Sequence, residues 1–200
     1  WYTLAAEQGH AKAQYNLGVM YDFGKGVSEN DKTAVKWYTL AAEQGHAKAQ
    51  YNLGVMYDFG KGVSKNDKTA VKWYTLSAEQ GHAKGQFYMG HMYALGEGAH
   101  ENDKTAVKWY TLSAEQGDRS AQYNLGVMYD LGKGVPENYK TAAKWYTLAA
   151  EQGHAKAQYN LGVMYDLGEG VPENDKTAVK WHTLSAEQGD RSAQYNLGVM

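Results

Sequence analysis

Cysteine is absent. That excludes a disulfide framework, a thiolate zinc site and a cysteine nucleophile. Proline is scarce, at 2 of 200 residues, and both copies (Pro136 and Pro172) fall at one equivalent turn position. Neither sign of charge dominates: Lys+Arg is 20, Asp+Glu is 22, and the net charge is −2 with His neutral. A chain so balanced lacks the basic footprint of a nucleic-acid binder. No apolar run approaches the ~20 residues of a membrane-spanning helix, so no direct membrane insertion is expected from this segment. No strand pattern occurs anywhere.

What the sequence does have is a period. Trp stands at 1, 37, 73, 109, 145 and 181, a constant spacing of 36. The predicted organisation is a single repeat array over 1–200, with units 1–36, 37–72, 73–108, 109–144 and 145–180 and a partial unit 181–200. Residues 1–36 and 37–72 differ only at Glu29 versus Lys65, which points to recent duplication. The 23 glycines follow the period as well, with Gly85 alone outside it.

Two helical patterns fill each unit. A leading helix is predicted over Ala11–Asp22, with Ala13, Leu17 and Tyr21 on one face and Gly18 at its edge. Mid-helix Gly costs ~1 kcal/mol against Ala, so its recurrence predicts close approach of another helix. A trailing helix is predicted over Asp31–Gln44, with Ala34, Trp37, Tyr38, Ala41 and Ala42 on one apolar face. Asn30 is preferred as its N-cap, because Asn recurs in every loop whereas Asp31 becomes Tyr139 once. Gly24 and Gly26 turn the connecting loop, Val27 packs back on the pair, and Pro136 and Pro172 stiffen two copies. A two-helix unit cannot bury its face alone and must stack on its neighbours. The expected fold is therefore all-α, a right-handed α-solenoid of antiparallel helix pairs.

Several residue groups that resemble chemistry read as structure. Gly24-Lys25-Gly26 lacks the preceding strand and the following Lys-Ser/Thr of a phosphate loop. His10, His46, His82 and His154 are equivalent positions in separate units. Packed helices lie ~8–10 Å apart, too far for one metal to bridge, so these histidines are helix-start residues. His82, His91 and His100 lack an acidic or cysteine partner at ligand spacing. Ser77, Ser113 and Ser185 replace Ala41, where a small residue can bond to a carbonyl of the preceding turn. No nucleophile motif surrounds them. The Trp ladder falls on the core face. No catalytic residue, metal or cofactor is predicted.

The string Ala13, Leu17-Gly18, Tyr21, Gly24, Gly26-Val27, Asp31, Ala34, Trp37-Tyr38, Ala41-Ala42 and Gly45 resembles the Sel1-like repeat family, a relative of the tetratricopeptide repeats. The resemblance covers essentially the whole chain. It implies a non-catalytic scaffold or adaptor that binds a protein or peptide, with no nucleic acid and no cofactor. It permits bacterial envelope, secreted or endoplasmic-reticulum roles, and no targeting signal is visible. The cysteine pairs of one bacterial subgroup are missing. By analogy with tetratricopeptide superhelices, the leading helices line the inner groove. The stripe then comprises Lys12, Asn16, Val19 and Phe23, then Lys48, Asn52, Val55 and Phe59, with Lys84, Tyr88, His91 and Leu95 in the third unit and Ser120, Asn124, Val127 and Leu131 in the fourth. The positions expected to form the binding groove are Asn16, Val19, Asn52, Val55, Tyr88, His91, Asn124, Val127, Asn160 and Val163. Asn both donates to and accepts from a peptide backbone, and Tyr88 with His91 suits an interface anchor. The third unit, which carries those two residues, reads either as a specialised contact or as an older, drifted repeat.

Two other readings remain. The array can be a structural spacer holding flanking domains apart, or a module associated with an enzyme. Trp1 falls in mid-helix and Met200 inside a leading helix without its partner. The expectation is a fragment of a longer array that self-associates end to end.

Overall fold

A computed structural model describes residues 1–199; the expectation for Met200 lies outside the described residues. Every described element is helical. The chain forms two compact units, Trp1–Glu101 and a second beginning at Asn102. The first holds α1 (Tyr2–Glu7), α2 (Ala11–Asp22), α3 (Asp31–Glu43), α4 (Ala47–Phe59), α5 (Asp67–Glu79) and α6 (Ala83–Leu95). The second holds α7 (Asp103–Glu115), α8 (Arg119–Asp130), α9 (Tyr139–Glu151), α10 (Ala155–Leu167), α11 (Asp175–Glu187) and α12 (Arg191–Val199). Within each unit successive helices pack on one another, giving the expected solenoid of helix hairpins.

The boundaries follow local chemistry. Asn30 caps α3, its Oδ1 accepting the Thr33 N–H at 2.9 Å, and Asn66, Asn102, Asn138 and Asn174 repeat that bond. Each such cap stabilises its helix by ~1 kcal/mol. Gly60 ends α4 in the left-handed conformation at φ +69°. Two residues on, Gly62 meets the preceding repeat: a Cβ there would lie 2.5 Å from the Asp31 carbonyl. The loop thus docks backbone to backbone on the start of α3, which no side chain would permit.

The core differs from the expected one in which aromatic it buries. Tyr38, Tyr74 and Tyr146 are fully buried, while the tryptophans beside them are at best half-buried. Trp73 and Trp181 pack on the outside of clusters built from Ala, Leu and Met. The periodicity put both residues on one face, but they are adjacent in sequence and ~100° apart around the helix. Only one can point at the neighbouring helices. On the leading helix Met56 is buried completely and Tyr57 only partly, again a shift of one position from the expected stripe.

Gly18 confirms the close approach its recurrence predicts, and the partner is the tyrosine. A Cβ on Gly18 would stand 2.6 Å from the Tyr38 ring; Gly54 on Tyr74 and Gly126 on Tyr146 repeat the distance. The ring's hydroxyl is then held by a neighbour one turn along: Tyr38 donates to Asp22 at 3.0 Å, Tyr74 to Asp58 at 3.0 Å and Tyr146 to Asp130 at 3.1 Å. In the partial unit 181–200 His182 takes this place. It is wholly buried, bonds Asp166 at 2.8 Å, and leaves its Nδ1 without a partner.

A buried glutamine ladder adds a second polar layer that the periodicity did not predict. Gln50 donates to the Ala42 carbonyl at 3.1 Å and accepts from Gln80 at 2.6 Å. The same pattern recurs through Gln14 and Gln44, and through Gln122 and Gln152. Ser77 also reaches further than expected: its hydroxyl donates to Ala47 O at 2.8 Å, across to the preceding leading helix and not within its own. Ser185 does the same to Ala155 O at 2.9 Å.

Gly54→Ala tests the ring seat. Ala is the better helix former by ~1 kcal/mol, yet overpacking against Tyr74 costs ~1–3 kcal/mol. The variant should unfold at lower urea than the parent. A rise in midpoint would show that the ring is not confined.

Candidate functional site

The exposed parts of the leading helices carry the stripe that the sequence singles out. Asn16 and Val19 lie on α2, Asn52 and Val55 on α4, Tyr88 and His91 on α6, Asn124 and Val127 on α8, and Asn160 and Val163 on α10. All ten are half-buried.

In the first unit the structure gathers some of them. A cleft of about 360 Å³ opens between α2 and α4, lined by Tyr15, Val19, Asp22, Phe23, Tyr51, Asn52, Val55, Met56 and Lys61. Val19, Asn52 and Val55 meet there. Asn16 lines a separate cleft with Lys12, Tyr15, His46, Ala47 and Lys48. Phe23 is 61% exposed at the cleft's edge, with the Lys25 ammonium 5.5 Å from its ring centre. Lys61 closes the cleft's polar end by pairing with Asp22 at 3.6 Å. Phe23 belongs to the sequence stripe, whereas Tyr15 and Lys61 stand outside it. Their signal was recurrence: an aromatic occupies the Tyr15 position at 51, 87, 123, 159 and 195.

The asparagines are less free than the sequence suggests. The carboxamides of Asn52, Asn124 and Asn160 stand beside the phenol groups of Tyr38, Tyr110 and Tyr146 and favour their ionised forms. Burial pushes those phenols up, Tyr110 to about 12 and the other two beyond. They are neutral donors at every physiological pH.

Tyr88 stands where the other units have Asn. Its ring stacks on Tyr74 at 5.0 Å between centres and lies 5.6 Å from Tyr51. It therefore fills space beside α4 with a side chain of the protein itself. His91 stacks on Phe87 at 6.2 Å.

The helix-start histidines have a defined task. His46 Nδ1 accepts the Ala49 N–H, His82 Nδ1 that of Gly85 and His154 Nδ1 that of Ala157, each at 3.2 Å. Asp118 and Asp190 make the equivalent caps. Accepting through Nδ1 leaves the proton on Nε2. Burial holds all three imidazoles below the usual histidine range, and nearby cationic side chains (Lys12 and Lys48 at His46, Lys48 and Lys84 at His82, Arg119 and Lys156 at His154) add to the effect. Burial raises Asp58 and Asp130.

The Sel1 repeat sequence model matches residues 1–10, 11–46, 47–82, 83–118, 119–154, 155–190 and 191–200, the whole chain. The chain belongs to the Sel1 repeat family. Each full match begins at a leading helix and closes with the trailing helix that follows it. Among solved structures the chain resembles c5321, a protective antigen present in uropathogenic Escherichia coli strains, at TM-score 0.95 and 42% identity. That alignment covers 100% of this chain and 43% of the other, so the chain spans less than half the length of that protein. It also resembles a Sel1 repeat protein from Oxalobacter formigenes, at TM-score 0.88 and 42% identity over 95% of this chain and 76% of that one. The immunity protein Pa5087 of Pseudomonas aeruginosa is more distant, at TM-score 0.56 and 26% identity over 92% and 67%. No curated protein matches the chain significantly. Sel1 repeats generally mediate protein–protein interaction, and proteins built from them are generally non-catalytic. Among the described residues no helix is long and apolar enough to cross a membrane.

The histidine caps of this Sel1 chain predict a pH dependence. With folded pKa values depressed, the unfolded chain takes up protons first as pH falls. The stability they contribute is complete above pH ~6.5 and is lost progressively below it. Replacing His46, His82 and His154 with Asp should flatten the urea midpoint between about pH 7 and pH 5.5. An unchanged slope would remove the caps from the account.

Proposed function

We propose that this Sel1 chain is a non-catalytic scaffold that binds a protein or peptide partner on the face formed by its leading helices. The observation that carries this reading is the cleft between α2 and α4. It is concave, about 360 Å³ in volume, and joins Val19, Val55 and Met56 to the exposed ring of Phe23. Clefts with mostly apolar walls and a few fixed polar groups are the usual seats for ligand side chains. Asn52 and Asp22 supply the polar groups, and Asp22 is already held by the Tyr38 hydroxyl. Within the second unit, Asn124, Val127, Asn160 and Val163 hold the equivalent positions on its own leading helices. Tyr88 and His91 serve it differently, closing the space beside α4 and α6 that Asn and Val leave open elsewhere.

Selection of a random peptide display library on the immobilised chain tests the reading. Peptides should be enriched, and their affinity should fall at least tenfold on Phe23→Ser, a change at an exposed position that leaves the core intact. An unenriched library, or binding indifferent to Phe23, would overturn it and favour a spacer arm.

A further inference from the structure

The scaffold reading names no ligand chemistry, but a second cleft beside the first does. It measures about 370 Å³ and is lined by Lys12, Tyr15, Asn16, His46, Ala47 and Lys48. Tyr15 is the wall shared with the apolar cleft. Its ring is fixed by stacking on His46, at 4.7 Å between centres and 21° between planes.

The polar lining is one-sided. Two ammonium groups, a carboxamide and an imidazole converge, and no carboxylate lines the cleft. Because His46 Nδ1 accepts the Ala49 N–H, the free edge of its ring is an N–H donor. Neither Lys12 nor Lys48 has an ion-pair partner among the described residues. The first turn of α4 forms the floor through Ala47 and Lys48, and the positive end of a 13-residue helix adds to the field. Burial first, and then the charges of Lys48 and Lys12, hold the His46 imidazole below its usual range.

The combination does not recur along the chain. At the Lys12 position the second unit has Ser120, Lys156 and Ser192, so no two successive leading helices there both carry the lysine, and beside His154 the charges come from Arg119 and Lys156. Between α4 and α6, where Lys48 and Lys84 repeat the charges, the Tyr88 ring lies against Tyr51. The α2–α4 groove thus combines a doubly basic end with an open apolar end.

We propose that the groove between α2 and α4 is a two-part site for an extended peptide segment of a partner protein. Lys12, Lys48, Asn16 and the His46 N–H take an acidic side chain, and the Val19–Val55 cleft takes an apolar one. This rests on the scaffold reading and specifies its ligand. A peptide fits better than a polyanion, since phosphates would leave the adjoining apolar cleft unused. On α2, Lys12 of the basic cleft and Val19 of the apolar one stand seven positions apart, or ~10 Å at 1.5 Å per residue. An extended strand covers that distance in about three residues and alternates its side chains. The acidic and apolar residues therefore stand two to four positions apart.

Display-library pools selected on the parent chain, on Lys12→Gln/Lys48→Gln and on Phe23→Ser test this directly. The parent pool should be enriched in Asp or Glu two to four positions from Leu, Ile, Phe or Met. The lysine variant should lose the acidic preference and keep the apolar one; Phe23→Ser should do the reverse. A peptide selected on the parent should weaken at least tenfold on the lysine variant, and equally when its Glu becomes Gln. A parent pool without acidic residues, or one unchanged on the lysine variant, overturns this proposal and leaves the scaffold reading standing. Displacement of the peptide by millimolar inorganic phosphate as well as by free peptide would make the cleft a simple anion site and overturn it too. An empty parent pool removes both readings.

Discussion

The Tyr38 ring lies so close to α2 that a methyl on Gly18 would come within 2.6 Å of it, and its hydroxyl reaches Asp22 on the same helix at 3.0 Å. Gly18 and Asp22 are four residues apart and so share one side of the helix. The ring needs a bare backbone at one and an acceptor at the other. From α4, Ala49, Leu53 and Met56 pack in the same buried cluster as the ring, and Asn52 stands beside its hydroxyl. One side chain of α3 thus ties its own hairpin to the next. It buries a large apolar ring without leaving its hydroxyl unsatisfied, an omission that would cost ~1–3 kcal/mol. The same set recurs at Tyr146 with Gly126, Asp130 and Asn160. The glutamine ladder, the seryl bonds to the preceding leading helix and the docking of Gly62 on Asp31 all presuppose the spacing it sets.

That constraint also decides what remains for a ligand. Asp, Tyr and Gln side chains are consumed in holding hairpins together, and three of the four stripe asparagines stand beside a tyrosine. Lys12, Lys48, Val19, Val55 and Phe23 are not needed for that purpose. The repeats therefore keep the same interior plan, with His182 for Tyr and Ser77 for Ala as buried variations, and they differ at the surface as well. Ser120 for Lys12 alters the charge, and Tyr88 for Asn alters the shape of the groove beside α4.

Much of the fold was legible because the period of 36 repeats every signal. The leading helix, the asparagine cap and the close approach at Gly18 were all readable from spacing and residue type. The identity of the buried aromatic was not. Trp37 and Tyr38 are neighbours, and hydrophobicity favours the larger ring, whereas a hydroxyl with an acceptor waiting at Asp22 favours tyrosine. The glutamines at 14, 50, 122 and 158 were passed over because a polar residue within an apolar face reads as its margin. Their partners are eight and thirty residues away, beyond the reach of helical periodicity. The stripe was placed on the leading helices by its angle, but angle alone could not show that Asn52 stands beside the Tyr38 hydroxyl. Nor could it show that Tyr88 lies over Tyr74. Both depend on the next hairpin's position.

A double-mutant cycle on Asp130 and Tyr146 measures the central contact most directly. Asp130→Ala, Tyr146→Phe and the pair would be compared by urea unfolding at neutral pH. A hydroxyl held between helices predicts a coupling of about 1–2 kcal/mol. Effects that simply add, to within about 0.3 kcal/mol, would mean that the bond between the helices is incidental and that ring packing alone sets the repeat.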